Sequence, residues 1–488
     1  MIHPARTRQD PEAAQRALVD IQSMLHRFDV ESDLVHREQI AGEPSRRSLV
    51  EALTAKQHAA LLEPRIRELH AADLAYVLAG LPPEQRALLW PLVQESVAGE
   101  VLLELADPLR ETLLGAMSFE AQVRVMQALD TDELAELAPV LAPGVVEKIR
   151  QGLTIEEREQ LRAAMSYSPD SVGARMDFEM VTIRDDVTLE VVLRYLRRFD
   201  ALPDHTDQIF VVDRKDVLKG VLSIGALLVH EPEQKVSEVM RNDPFTLQAI
   251  DLAIDAAQAF QRYDLVSAPV IDEAGRLIGR LTVSEAVDVI REDIDSEVLA
   301  QAGLREEEDI FSPVWASARN RWLWLGVNLG TAFFASSVIG VFEGVIERVV
   351  ALAALMPIVA GIAGNSGNQT MTLFIRSLAL GQVTPDTVRR LFLKELSIAL
   401  LNGAVWGSIA GVFAWLLYLG SAQAPLLGLT MMLAIVLNLL IASIIALAVP
   451  LTLRQMGRDP ALGSSVLLTF TTDSMGFFIF LGLATMLF

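Results

Sequence analysis

Asp473, in LLTFTTDSMGFFIF, is the only Asp, Glu, Lys or Arg between Ala461 and Phe488. A carboxylate inside an apolar segment of membrane length is costly and by default marks a functional site. A lone one suits a divalent cation that keeps its water, because Mg2+ dehydrates reluctantly and uses few protein ligands. It does not suit an intramembrane metalloenzyme, which needs several converging ligands. Nor does it suit a proton relay, which strings titratable groups across the bilayer. The structural alternative is a buried Asp held by the hydroxyls of Thr471 and Thr472.

A second stretch, GIAGNSGNQTMTLFIR from Gly361 to Arg376, places amides and glycines in another apolar run. Helical spacing puts Gly361, Gly364 and Asn368 near one face, and pairs Asn365 with Gln369. Small residues let helices approach closely, and amides hydrogen-bond between them. Amides also bind the water shell of a cation without adding charge. Interhelical packing alone accounts for the stretch equally well. With Asp473, it reads as one wet polar path lined by Gly364, Asn365, Asn368, Gln369 and Thr472.

The elements that position these residues are membrane spans. Trp322–Phe342, Val349–Ile375 and Leu396–Leu453 carry no charge. About 20 apolar residues cross a bilayer, so five spans are expected, at about 322–342, 349–376, 395–419, 427–453 and 461–487. Basic clusters at Arg319 and Arg321, at Arg389, Arg390 and Lys394, and at Arg454 and Arg458 fall on one side if the N-terminus is inside. The C-terminus is then outside.

The rest of the chain is acidic. Residues 301–488 hold ten basic and ten acidic residues, so residues 1–300 carry the whole net charge of −22. Such a surface disfavours nucleic acid and favours cations. With no cysteine, disulfides and thiolate metal sites are excluded. The N-terminus lacks the apolar core of a signal peptide, which predicts a cytoplasmic location for the first 300 residues. No GxxxxGK[ST] motif is present, which argues against pumping by nucleotide hydrolysis.

The fold class expected is multidomain. Residues 1–45 read as a polar, loosely held helical arm. Residues 46–168 read as an α-helical solenoid of short hairpins, with an irregular bundle as the alternative. Residues 169–290 hold an α/β repeat: Asp213 and Asp272, Gly220 and Gly279, and Ser223 and Thr282 are each 59 apart. Each copy has the order β-α-β-β-α. A connecting helix at 291–320 leads to an all-α five-helix transmembrane domain at 321–488.

The β-α-β-β-α pair resembles tandem CBS domains, which often bind adenine nucleotides. PIVAGIAGNSGNQTMTLFIRSLALG with LFLKE, and GRDPALGSSVLLTFTTDSMGFFIFL, resemble the MgtE family of magnesium channels, as does the domain order over about residues 50–488. The resemblance implies a homodimer in the inner membrane with one pore on its two-fold axis, and Mg2+ bound at Asp473. It further implies a gate in which Mg2+ bridges carboxylates of the N, CBS and plug segments and holds the pore shut. The matching residues are Asp132 and Glu136 in the N domain, Asp264 in the CBS pair, and Glu285, Asp288, Asp293 and Glu297 in the plug helix, about 285–303.

Three places depart from the family pattern. Val466 stands where a proline is common. YSPDSVGARM has Asp170 as its only acid. Arg291 and Ser296 occupy plug positions often acidic in relatives. The first predicts an altered shape of the fifth span near the cytoplasmic mouth, and the other two, with fewer acids, predict altered Mg2+ sensitivity. Thr282 and Glu285 keep the spacing that holds a ribose in CBS pairs, whereas Ser223 is followed by Ala226; ATP at one site per chain and a purely dimerising CBS pair stand as equal readings. Function is thus expected as a homodimeric, Mg2+-gated Mg2+ channel rather than an enzyme, with the lipid bilayer and Mg2+ as partners. A slower Mg2+/Co2+ carrier and a non-conducting membrane-anchored sensor are the alternatives.

Overall fold

The computed structural model describes residues 12–38, 44–301, 304, 309–379, 382–461 and 463–488. They form two compact units, Met1–Asp293 with Asp309–Phe311, and Ile294–Glu308 with Ser312–Phe488.

The first unit starts with α1 (Ala13–Glu38) and α2 (Pro44–Arg67). The N-terminal arm is not loose where it is described: Ile21 and Leu25 of α1 are each 2% exposed. Its apolar residues Leu18, Ile21, Leu25 and Phe28 recur at three- and four-residue steps and form one stripe in a polar sequence. Gly80 makes room for it; a Cβ there would fall 2.7 Å from Leu18. Residues 1–11 and 39–43 of that arm lie outside the described residues.

Eight short helices follow: α3 (Ala71–Ala79), α4 (Pro83–Leu89), α5 (Glu95–Leu103), α6 (Asp107–Gly115), α7 (Phe119–Met126), α8 (Thr131–Leu137), α9 (Pro143–Gly152) and α10 (Ile155–Ala164). Caps set their starts: Asp130 with Glu133, and Thr154 with Glu157, form capping boxes that satisfy orphan N–H groups. Their leucines and valines fill one continuous core. A structural repeat of 24 residues runs through it. Arg86 Nε donates to Leu78 O and Arg110 Nε to Leu102 O, both at 2.8 Å. Each buried guanidinium thus closes carbonyls at the C-terminal end of the preceding helix, α3 or α5.

After α11 (Val172–Arg175) come two copies of one α/β motif. The first is β1 (Thr182–Arg184), α12 (Leu189–Leu196), β2 (Gln208–Val212), β3 (Leu218–Ser223), α13 (Ile224–Val229) and α14 (Val236–Val239). The second is β4 (Leu247–Gln248), α15 (Ala253–Tyr263), β5 (Ser267–Ile271), β6 (Leu277–Thr282) and α16 (Val283–Gln301). The sheets have the orders β1-β2-β3 and β4-β5-β6, parallel then antiparallel. Gln208 pairs with Ser223 and Ser267 with Thr282, and each ladder slips at the same point, Val211/Val212 and Val270/Ile271. The copies clasp reciprocally: Leu218 N–H donates to Gly275 O, and Leu277 N–H to Asp216 O. Gly220 and Gly279 are glycine because another backbone carbonyl, of Arg241 or Asp177, lies 2.5 or 3.1 Å from where a Cβ would stand.

The second unit holds α17 (Val314–Val341), α18 (Glu343–Arg348), α19 (Ala351–Ala379), α20 (Pro385–Leu417), α21 (Ala424–Gln455) and α22 (Ser464–Leu487). Among the described residues four helices are long and apolar enough to cross a membrane, within α17, α20, α21 and α22. The five spans expected from charge-free runs include α19, which has the length, 29 residues, but is not among those four; its amides and glycines dilute its hydropathy. Gly411 on α20 and Gly428 on α21 pack backbone to backbone, each Cβ position within 2.7 Å of the other's carbonyl oxygen. This is the small-residue packing that lets apolar helices associate without a hydrophobic drive.

Candidate functional site

Two groups of predicted residues are placed by the structure, one in each unit. In the second unit, α19 turns two unlike faces outward and inward. Val359, Ala363, Gly367 and Met371 are buried, and Gly367 has Leu468 of α22 and Ala442 of α21 where its side chain would be. Asn365, Asn368 and Gln369 lie on the opposite, exposed face. Gly364 sits at the border, 3.6 Å from Thr472 Oγ1 of α22 measured from its Cβ position.

Asp473 is half-buried. The threonines that could have tied it down are engaged elsewhere. Thr471 Oγ1 donates to Leu467 O at 2.9 Å, and Thr472 Oγ1 to Thr469 O at 3.1 Å. The structural reading of Asp473, as an acid held by these hydroxyls, therefore does not fit.

Two polar side chains here escaped the sequence reading. Asn438 of α21 is fully buried and donates through Nδ2 to Val359 O at 3.3 Å and Thr472 O at 3.1 Å. Glu395 of α20 accepts from Thr370 Oγ1 at 3.0 Å. Asn438 stands alone in VLNLL, with no second amide or glycine beside it to mark it. Glu395 stood at the edge of a span, in LFLKE, where a flanking charge is ordinary.

In the first unit, α8 and α16 bring acids together around α11. Glu285 is pushed up to about 8, first by burial, then by Glu136 and Asp288, against Arg175. Asp132 is pushed up to about 7 by burial and then by the charge of Asp177. Burial also raises Asp288, with Glu292 adding to it. Arg175 pairs with Glu292 at 2.6 Å. Glu136 is not a free acid: Arg110 Nη2 donates to it at 2.9 Å. Burial still raises Glu136, with Arg110 and Arg175 opposing.

The other predicted acids are Asp264, Asp293 and Glu297. Asp264 is exposed and ends α15 in the left-handed region at φ 51. Asp293 and Glu297 lie further along α16, and Gly303, the expected end of the plug, lies outside the described residues. Among the described residues no three His, Asp or Glu side chains converge closely enough to hold a metal ion directly. Thr282 Oγ1 accepts from Glu285 N–H at 3.5 Å at the start of α16, so the pair proposed to hold a ribose is also an N-terminal cap facing the acidic group.

Comparison with known proteins turns this arrangement into a family assignment. A curated magnesium transporter, MgtE of Thermus thermophilus, is 32% identical over 450 residues, covering 90% of this chain and 98% of the relative. The chain belongs to the MgtE family. The family's sequence model, described as a divalent cation transporter, matches residues 356–483, spanning both GNSGNQ and Asp473. The MgtE intracellular N domain matches 69–170 and a CBS domain matches 236–292. The Bacillus subtilis magnesium transporter MgtE is 27% identical over 420 residues, 86% of this chain and 92% of its own. Among solved structures, the cytosolic domain of the Mg2+ channel MgtE in complex with ATP is 31% identical, with a TM-score of 0.44 over 50% of this chain and 98% of that one. As expected from sequence, the fold is multidomain, with a helical MgtE N domain, a CBS pair and a helical region holding several membrane-length helices.

Proposed function

We propose that this member of the MgtE family is a homodimeric Mg2+ channel of the inner membrane, acting in transport rather than catalysis. The observation that carries this reading is the exposed amide face of α19 beside the half-buried Asp473. Three amides facing lipid would each need partners that hydrocarbon cannot supply. A second copy of the chain, with its own amides across a water-filled path, supplies them. Asp473 then acts on a cation that retains water, since direct multidentate binding would demand more carboxylates than the path offers. Asn365, Asn368, Gln369 and Thr472 accept or donate to that water shell without adding charge. The membrane potential drives inward flow, at about 2.3 kcal/mol per elementary charge per 100 mV.

The acids of α8 and α16 form the sensor in this reading. Buried carboxylates that repel one another at low Mg2+ are neutralised when Mg2+ bridges them through its water. An ion that binds the compact arrangement better than the loosened one shifts the population toward it, and the compact state is the closed one. Asp264, Asp293 and Glu297 act as peripheral members of the same sensor. An adenine nucleotide at Thr282 would compete with this cluster for Glu285, which makes nucleotide binding and Mg2+ sensing linked events.

The test is single-channel recording from the reconstituted chain, with Mg2+ on the N-terminal side stepped from near zero to tens of millimolar. Wild type should show large unitary Mg2+ currents that vanish as Mg2+ rises, and Asp473→Ala should lose them or lose selectivity. Saturable flux without unitary events would favour a carrier, and no flux a sensor.

A further inference from the structure

We propose that Asn438 is a positioning residue for the ion path, its amide fixing α22 at Thr472, and with it the Asp473 carboxylate, against α19 at Val359. The inference rests on the pore reading above and names a residue that reading does not use.

Asn438 sits at a three-helix junction with none of its surface exposed. Its two Nδ2 protons go to two backbone carbonyls on two different helices, Val359 O of α19 and Thr472 O of α22. Thr472 is the residue before Asp473, and Val359 lies five residues before Gly364. One rigid planar group therefore sets the register of the two helices that carry the polar path. Room for it has been made on α22: at Gly476 a Cβ would fall 2.5 Å from Asn438 Nδ2.

Packing alone does not explain the residue. Asn438 Oδ1 is buried and has no hydrogen-bond partner among the described residues. A buried unpaired amide oxygen is a cost in any apolar interior, and more so in a bilayer. Leucine would fill a similar volume at that junction without the cost. Methylene contacts, however, let helices slide past one another, whereas two amide bonds hold them in one register. A site that discriminates between ions depends on holding its groups to within a fraction of an ångström.

Three variants of the full-length chain test this. Asn438→Leu removes both bonds and keeps volume. Gly476→Ala keeps the amide but drives it out of place. Asn438→Ala/Gly476→Ala refills the space without restoring the bonds. Each is compared with wild type for thermal unfolding, for Mg2+ over Na+ permeability, and for the distance between spin labels at Gly361→Cys and Met475→Cys, in chains diluted with unlabelled protein. The chain has no native cysteine, so the labels are unique.

The expected result is folded protein in all three, a broadened label distance, and Mg2+ over Na+ selectivity at least tenfold lower, unrescued in the double variant. Wild-type selectivity and label distance in Asn438→Leu, or recovery of both in the double variant, would make Asn438 a space filler and overturn the inference. If wild type itself passes no Mg2+, the pore reading fails. The label distances then decide alone whether Asn438 sets the register.

Discussion

Arg110 of α6 closes on Glu136 of α8 at 2.9 Å, with the guanidinium almost wholly buried and the carboxylate partly so. The same guanidinium bonds Leu102 O and Leu103 O. Glu136 is thus committed to holding two solenoid repeats together, besides facing Glu285. A hydrogen bond between charged groups contributes about 1.5–3 kcal/mol. Glu136→Gln should therefore lower the unfolding temperature by several degrees. Glu285→Gln should leave it unchanged or raise it, because folding at neutral pH then no longer requires the uptake of a proton at that crowded site. Equal, small thermal shifts for both variants in differential scanning calorimetry would remove the distinction.

The crowding around Glu285 and Asp132 has a definite pH signature. Both carboxyls titrate higher in the folded chain than unfolded, at about 8 and about 7. The folded state binds their protons more tightly, so their stabilising effect is complete below about pH 4 and is lost as pH rises through 7 and 8. With EDTA present, the first unit should unfold at a higher temperature at pH 6 than at pH 8.5. Saturating Mg2+ should flatten that dependence by displacing the same protons. A melting temperature that rises from pH 6 to 8.5 in EDTA would reverse the sign and discard the argument.

Arg86 makes a bond pattern like that of Arg110, with one difference. Its acid comes from far along the chain, Asp309, at 2.5 Å, and the guanidinium lies 5.3 Å over the ring of Phe311. Burial opposes ionisation of Asp309, but hydrogen bonds from Arg86 and from Phe311 N–H outweigh it and hold its carboxyl below the usual range. That attachment needs no divalent ion. Asp309→Asn and Phe311→Ala should each speed hydrogen exchange around 309–313 severalfold, at high and at low Mg2+ alike. Exchange there that is fast in wild type whenever Mg2+ is removed would show the attachment to depend on the ion.

How far the sequence led depends on what each interaction leaves in the text. The 59-residue repeat was readable because Gly220 and Gly279 answer the same steric demand in both copies, and the ladders slip at equivalent points. Asp473 and the amides of α19 were readable because polar groups in hydrocarbon are conspicuous. The docking of α1 was missed because four apolar residues on one stripe are diluted by charged neighbours. The engagement of Glu136 by Arg110, and of Arg86 by Asp309, joins residues 26 and 223 apart with no local pattern to announce it. Asn438 was passed over because it is a lone amide in VLNLL, without the cluster of amides and glycines that marks GNSGNQ.

Arg175 carries the last prediction. It stands in YSPDSVGARM, the stretch poor in acids, and it pairs with Glu292 at 2.6 Å. Its charge also acts on Glu136, Glu285 and Asp288, opposing the rise that burial imposes on each. A tethered cation in that place does part of what a bound divalent ion would do, at all Mg2+ concentrations. Removing it leaves the same carboxylates with only one another for company. Arg175→Ala should then require severalfold more Mg2+ for half-maximal closure, and Arg175→Lys should recover part of the difference, since the charge is kept but the two-pronged contact with Glu292 is not. The measurement is open probability against Mg2+ for the three proteins. A lowered midpoint in Arg175→Ala would mean that Arg175 competes with the ion instead of assisting it, and an unchanged one that it takes no part in closure.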